Sequence, residues 1–528
     1  MKFSYQQYAT HDYPTFGGTI KVMLIVVITG TIVFMGGIVS GQGNQKAYPE
    51  YDLKLSDVTE QLRYLASDEL KGRRTGTSGN DAAARYIAEQ FRANGLATVP
   101  GADDYLQPVT LAKVAHSILN TVVIGTDTLR QGRELVALQA GQSNLTAAII
   151  FVDYGILNEE TAQDDLQGVD LKGKIVVARF GSGGHANVRA GMRESRKKYT
   201  RIAEKGAAGL IELYSGDFPW RRLASFLSRP RYTVEQPNDQ IETRISHILI
   251  DDSAQKYLAE FTEKSDLETV SLKFHPPEKT PIVSSNVMGI IQGADTELRK
   301  EYILVSAHFD HLGVRSRPEN PAADSIYNGA RDNGMGTVAL IAASKALAEV
   351  QPARSLIFIA FTGEEMGLLG SEFYVEHPLI PLKSTVFVLN TDGAGYTDTS
   401  IVTVIGIERS TAQTAIEEAT KEVGLTVIPD PVPEQHLFNA SDNAPFARKG
   451  IPTLTFSPGF RAFDEALRRF YHQPEDEADE NFDFNYLLRY CKAFAHSVRF
   501  IANMPQRPRW NSGDEYESLS NKLYQEDR

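Results

Sequence analysis

Tyr302–Ile303–Leu304–Val305–Ser306–Ala307–His308–Phe309–Asp310 is the stretch on which the fold turns. Tyr302–Ala307 is a short, strongly apolar run without alternation, the pattern of a strand buried on both faces of a mostly parallel sheet. An imidazole and a carboxylate follow it directly. Ser355–Thr362, Thr385–Thr391 and Pro452–Phe456 are runs of the same kind. Helical stretches, Thr337–Val350 and Tyr486–Ile501, lie between or after them. Strand, loop and helix in repetition predict an α/β fold: a three-layer α/β/α sandwich around a mostly parallel, mixed central sheet.

Working outward, Asp57–Leu70 and Asp81–Asn94 predict amphipathic helices. The second carries Ala84, Ile87, Ala88 and Phe91 on one face and ends at Gly95. Between 120 and 283 the texture changes to short β-like runs, Ala147–Val152, Lys174–Phe180 and Gly209–Tyr214, separated by turn residues. The predicted organisation is a domain at 48–119 and 284–502, a β-rich insert at 120–283 and a polar tail at 503–528. Val22–Val39 is an uncharged apolar run with Lys2 and Lys21 before it. It predicts a signal peptide or single membrane anchor, with 1–21 as the cytoplasmic or n-region. The rest of the chain is then expected to be exported: periplasmic, extracellular, or anchored with its main domain outside the cytoplasm.

The net charge of -13 disfavours nucleic-acid partners. Cys491 is the sole cysteine, which excludes an internal disulfide and any cluster of cysteine ligands. Gly-x-Ser-x-Gly and His-Glu-x-x-His are both absent, so neither a serine-hydrolase elbow nor a single-zinc protease helix is indicated. The glycine cluster Gly181–Ser182–Gly183–Gly184 stands alone and does not indicate a nucleotide site.

In open α/β sheets ligands bind at the carboxyl ends of the strands. His308 and Asp310 follow the first strand, Glu364 and Glu365 the second, and Asp392 the third. Asp332 precedes a helix, and Tyr471–His472 comes late. Singly, each has an ordinary explanation as a turn, cap or surface group. Together they place carboxylates and imidazoles on one rim, where uncompensated charge is costly. The histidines and carboxylates suit two Zn²⁺ ions about 3.5–4 Å apart. The assignment is Asp332 as bridge, His308 and Asp392 on one ion, and Glu365 and His472 on the other. Glu364 stays free as general base. Asp310, two residues from His308, is expected to hold its far ring nitrogen. Tyr471 is expected to donate to the oxyanion of a tetrahedral intermediate. His311 is expected to give structural support.

Ala307–Gly313, Asn328–Gly334, Phe361–Gly367, Asn390–Asp392 and Tyr471–His472 together resemble the co-catalytic double-zinc aminopeptidase family, with its secreted bacterial aminopeptidases and glutamate-carboxypeptidase relatives. Leu65–Gln107, with Gly72–Arg73–Arg74–Thr75–Gly76, is similar to that family's N-terminal part. Gly173–Val177 and Gly206–Ile211 resemble a protease-associated (PA) domain, a β-rich insert. The resemblance implies the zinc exopeptidase fold and the same roles for His308, Asp332, Glu364, Glu365, Asp392 and His472. One departure is Ser441–Asp442–Asn443, where many relatives carry Ser-Asp-His. Phe438, Asn439 and Asp442 are expected near the substrate pocket.

The expected function is that of an exported metallopeptidase, an aminopeptidase acting on peptides. Alternatives are a carboxypeptidase or dipeptidase, a glutaminyl-cyclase-like activity, and a receptor-like homologue without catalysis. Oligomeric state is not encoded in any motif.

Overall fold

The computed structural model describes residues 51–158, 163–183, 187–235, 245–263, 268–315 and 323–525. The predicted apolar run Val22–Val39 lies outside them. No helix among the described residues is long and apolar enough to cross a membrane.

A nine-stranded sheet organises the larger part of the described chain. Its order is Arg231–Val234, Leu106–Ala115, Glu278–Ile291, Ser355–Phe361, Tyr302–His308, Thr385–Thr391, Thr453–Pro458, Ile401–Ile405 and Thr426–Ile428. Ser355–Phe361, Tyr302–His308, Thr385–Thr391 and Thr453–Pro458 run parallel side by side, so their carboxyl ends share one edge. The unalternated apolar runs have a plain cause. Ile303, Val305 and Ala307 pack on one face, against the helices Leu55–Leu65, Ser78–Ala93, Met335–Glu349 and Phe484–Ala502. Leu304 packs on the other face with Ile357, Ile359, Tyr374 and Phe446. Residues of a strand alternate between faces, so a strand covered on both must be apolar throughout. This is the α/β/α sandwich.

A second, eight-stranded sheet uses residues between Thr121 and Lys273. Its own core includes Ile175, Val177, Ile211, Leu213, Ile248 and Leu272. Lys198, on the helix Val188–Glu204, reaches the buried Glu212 at 2.7 Å. His247 Nε2 lies 2.8 Å from the other Glu212 oxygen, which also accepts the Ser195 hydroxyl. The ion pair and its hydrogen bonds satisfy one another inside an apolar domain, the condition under which buried charge is tolerated.

Two expectations need adjustment. Arg231–Val234, inside the stretch 120–283, pairs with Leu106–Ala115 and so forms an edge of the nine-stranded sheet. The 503–528 stretch is no loose tail where it is described. Trp510 is buried, and Arg409 stacks against Phe438, Trp510 and Tyr516 while pairing with Asp514. Isolated aromatic anchors in a polar segment carry this packing, and average polarity hides them.

Candidate metal centre

The edge where the parallel strands end carries the acidic cluster. His308 is the last residue of its strand and is fully buried. Asp392 follows the strand Thr385–Thr391, and His308 Nε2 lies 3.1 Å from its Oδ1. Asp332 sits in an irregular turn that opens the helix Met335–Glu349, and the Asp332–Asn333 peptide is cis. Glu364 and Glu365 occupy a single helical turn after the strand Ser355–Phe361, entered through Gly363 at φ 74°.

Asp332 faces two ways. Its Oδ1 lies 3.5 Å from His308 Nε2, and its Oδ2 lies 3.2 Å from His472 Nε2. His472 Nε2 is also 3.2 Å from Glu365 Oε2. Glu364 Oε2 stands 4.0 Å from His308 Nε2. The five residues named as ligands, and Glu364, therefore meet at one place. Tyr471 lines the same cavity, stacked on His472 with ring centroids 3.9 Å apart.

Asp310 behaves differently from expectation. The far nitrogen of His308, Nδ1, meets the main-chain oxygen of Asp310 at 3.2 Å, whereas the carboxylate is 3.8 Å away. That carboxylate instead accepts the Glu364 N–H and the Thr75 hydroxyl, both at 3.0 Å. Spacing put the residue beside the site. The turn after His308 decided which of its oxygens serves the ring. Phe438 and Asp442 do not line the cavity, whereas Asn439 and Ser441 do.

Several further groups support the cluster. Arg73 is buried, and its guanidinium donates to the main-chain oxygens of Phe309 at 2.7 Å and Gly329 at 3.0 Å. It ties the loop after His308 to the loop before Asp332. Asp476 accepts the main-chain N–H groups of Arg331 and Asp332 and pairs with the Arg331 side chain at 3.0 Å. Ser441 donates its hydroxyl to Asp392 Oδ2, and Asn390 in turn donates to Ser441 Oγ at 2.8 Å. His311 is buried with Nδ1 2.7 Å from Glu365 Oε1, in place to support that carboxylate.

The electrostatics describe a cluster short of positive charge. Burial and then the carboxylates Asp392 and Glu365 push the Glu364 carboxyl well above the usual range, against the opposing pull of His308. Burial would lower the His472 pKa, but hydrogen bonds to Asp332 and Glu365 raise it to about 10. Asp442, buried behind the site, is pushed up to about 7 by burial. His308, Glu364 and Asp392 form one group able to hold a cation, and His311, Asp332 and Glu365 a second. All donors are nitrogen or carboxylate oxygen, and no thiolate takes part. That donor set fits Zn²⁺.

Residues 286–498 match peptidase family M28. This part of the chain is similar to that family. The M28 segment contains the whole candidate cluster, from His308 to His472. Aminopeptidase YwaD of Bacillus subtilis (strain 168) is 27% identical over 201 residues, which are 37% of this chain and 40% of that protein. A vacuolar membrane protease of Lachancea thermotolerans is 31% identical over 189 residues, 34% of this chain and 18% of that protein. The chain thus matches well under half the length of these curated relatives. The solved aminopeptidase from Aneurinibacillus sp. strain AM-1 superposes with TM-score 0.51 at 20% identity, covering 87% of this chain and 95% of that one. At that identity the likeness speaks for the fold alone.

Proposed function

We propose that the chain is an exported, two-zinc aminopeptidase that releases single residues from peptide N-termini. The observation that carries this reading is Asp332, whose two oxygens face His308 and His472 separately. A carboxylate so placed can bridge two cations, each completed by one histidine and one further carboxylate. His308 and Asp392 would hold the first, and His472 and Glu365 the second. His311, beside Glu365, orients that carboxylate. Zinc, when bound, supplies Lewis acidity and lowers the pKa of water.

The chain's own groups do the rest. Glu364 is fixed through its main-chain N–H by Asp310 and takes the proton of the attacking water. It then passes that proton to the departing amine. Tyr471 turns its hydroxyl toward the oxygen of the tetrahedral carbon. Ser441 holds Asp392 so that one oxygen remains toward His308. Leu368, Ile405, Leu437, Phe460 and Phe463 line the cavity, of about 590 Å³, and fit an apolar first residue. Arg448 also lines it, but its guanidinium is engaged by Glu372, which argues against a grip on a substrate carboxylate. The β-rich insert is read as a PA domain, and export as the task of Val22–Val39.

The test is a panel of aminoacyl anilides, free peptides and N-blocked peptides, assayed before and after chelation and zinc return. Cleavage of free-amino substrates alone, lost with chelator and restored by zinc, is expected. Equal cleavage of blocked peptides, or indifference to chelator, overturns the reading.

A further inference from the structure

We infer that the cleft between the two sheets seats the downstream part of an extended peptide, so that oligopeptides rather than dipeptides are the preferred substrates. This inference rests on the aminopeptidase reading and names the substrate class of that site. The cleft has a volume of about 840 Å³ and is mostly apolar. One wall is the strand Arg231–Val234, an edge of the nine-stranded sheet; another comes from Phe274, in the core of the insert.

All four residues of that strand line the cleft. Side chains alternate between faces, so four consecutive lining residues mean that the cleft reaches the strand's outer edge. Glu235 donates its N–H to Thr110 on the inner neighbour at 3.0 Å. By alternation, Tyr232 and Val234 direct their main-chain groups outward, where the Val234 oxygen already accepts the Thr233 hydroxyl at 2.8 Å. An exposed strand edge recognises an extended peptide through main-chain hydrogen bonds, largely without regard to sequence.

The cleft borders the candidate active site. Glu372 lines both cavities. Met366, the residue after Glu365, packs in one apolar cluster with Tyr232 and Val234. Arg74, next to the loop-tying Arg73, donates to the Tyr232 hydroxyl at 2.9 Å. A chain whose first residue sits by Glu364 therefore has a ready path along the edge strand.

Peptides of two to eight residues sharing the same first two residues test this. Wild-type kcat/KM should rise with length by about tenfold in total. Thr233→Trp fills the cleft, and Val234→Pro removes an outward N–H from an edge position that tolerates proline. Each should return the octapeptide to the tripeptide value and leave aminoacyl-anilide turnover unchanged. Isothermal titration of the octapeptide into the Glu364→Gln protein, with and without Thr233→Trp, gives a readout independent of turnover, and binding should weaken by about tenfold. Length-independent wild-type kinetics, or octapeptide binding unaffected by Thr233→Trp, overturns the inference. A failure of the aminopeptidase reading looks different, because the wild-type protein then cleaves no free-amino substrate of any length.

Discussion

Asp476 accepts the main-chain N–H of Asp332 at 3.1 Å, and so a buried carboxylate with no ligand role fixes the residue that faces both histidines. Asp476 also neutralises the buried Arg331. Asp476→Ala leaves that guanidinium uncompensated and should destabilise the fold by about 3–5 kcal/mol. Asp476→Asn keeps one acceptor oxygen for the main-chain donors and should do less damage. Denaturant unfolding of both variants, with metal analysis, checks the ranking; equal stability of Asp476→Ala and wild type would remove the anchor role.

Glu364 is proposed to move protons without being needed as a ligand. Glu364→Gln should retain two zinc equivalents and lose turnover by about a hundred- to ten-thousand-fold. Plasma emission for metal and steady-state kinetics check the two halves separately. A near wild-type rate takes Glu364 out of the mechanism.

Four carboxylates, Asp332, Glu364, Glu365 and Asp392, share the rim with His308 and His472. Bound zinc should therefore stabilise the native state by mass action. At free zinc about 100-fold above Kd, the gain is about 2.7 kcal/mol per independent site. Thermal unfolding after chelation, repeated over a zinc titration, should show a Tm that climbs with zinc. An unmoved Tm counts against a zinc centre.

Glu212 offers a pH test in the other sheet. Burial alone would raise its pKa, but Lys198 and His247 outweigh burial and draw it from an ordinary 4.5 to about 2. A depressed folded-state pKa means the unfolded chain binds the proton more readily. The stabilisation is thus fully present above pH 4.5 and is lost as pH falls toward about 2. Glu212→Gln should cost about 3–5 kcal/mol near neutral pH by stranding Lys198. Its deficit against wild type should shrink through the acid window, as followed by denaturant unfolding. A deficit independent of pH there would contradict the paired state.

Much of the fold was legible because burial on both faces leaves a plain mark. Tyr302–Ala307, Ser355–Thr362 and Thr385–Thr391 stand within a residue of the observed strands. The strand Arg231–Val234 was not legible as part of that sheet. Its alternating exposed and half-buried pattern is that of any edge, and pairing with Leu106–Ala115 is a contact distant in sequence. The site divides in the same way. His308, Glu364, Glu365 and Asp392 follow predicted strands and could be placed from position. Arg73 could not, since one of two adjacent arginines in a turn-rich loop gives no sign that the loops after His308 and before Asp332 will close around it.

Residue order along the chain was enough to settle the layered architecture and to bring the acidic and imidazole groups to one rim, because parallel strands must end on the same edge. Which oxygen of Asp310 meets His308, which residues hold Asp332 and Asp392 in place, and where the edge strand opens into a cleft were decided by packing. Those relations depend on directions and distances between segments far apart in the chain, and local patterns of polarity carry no record of them.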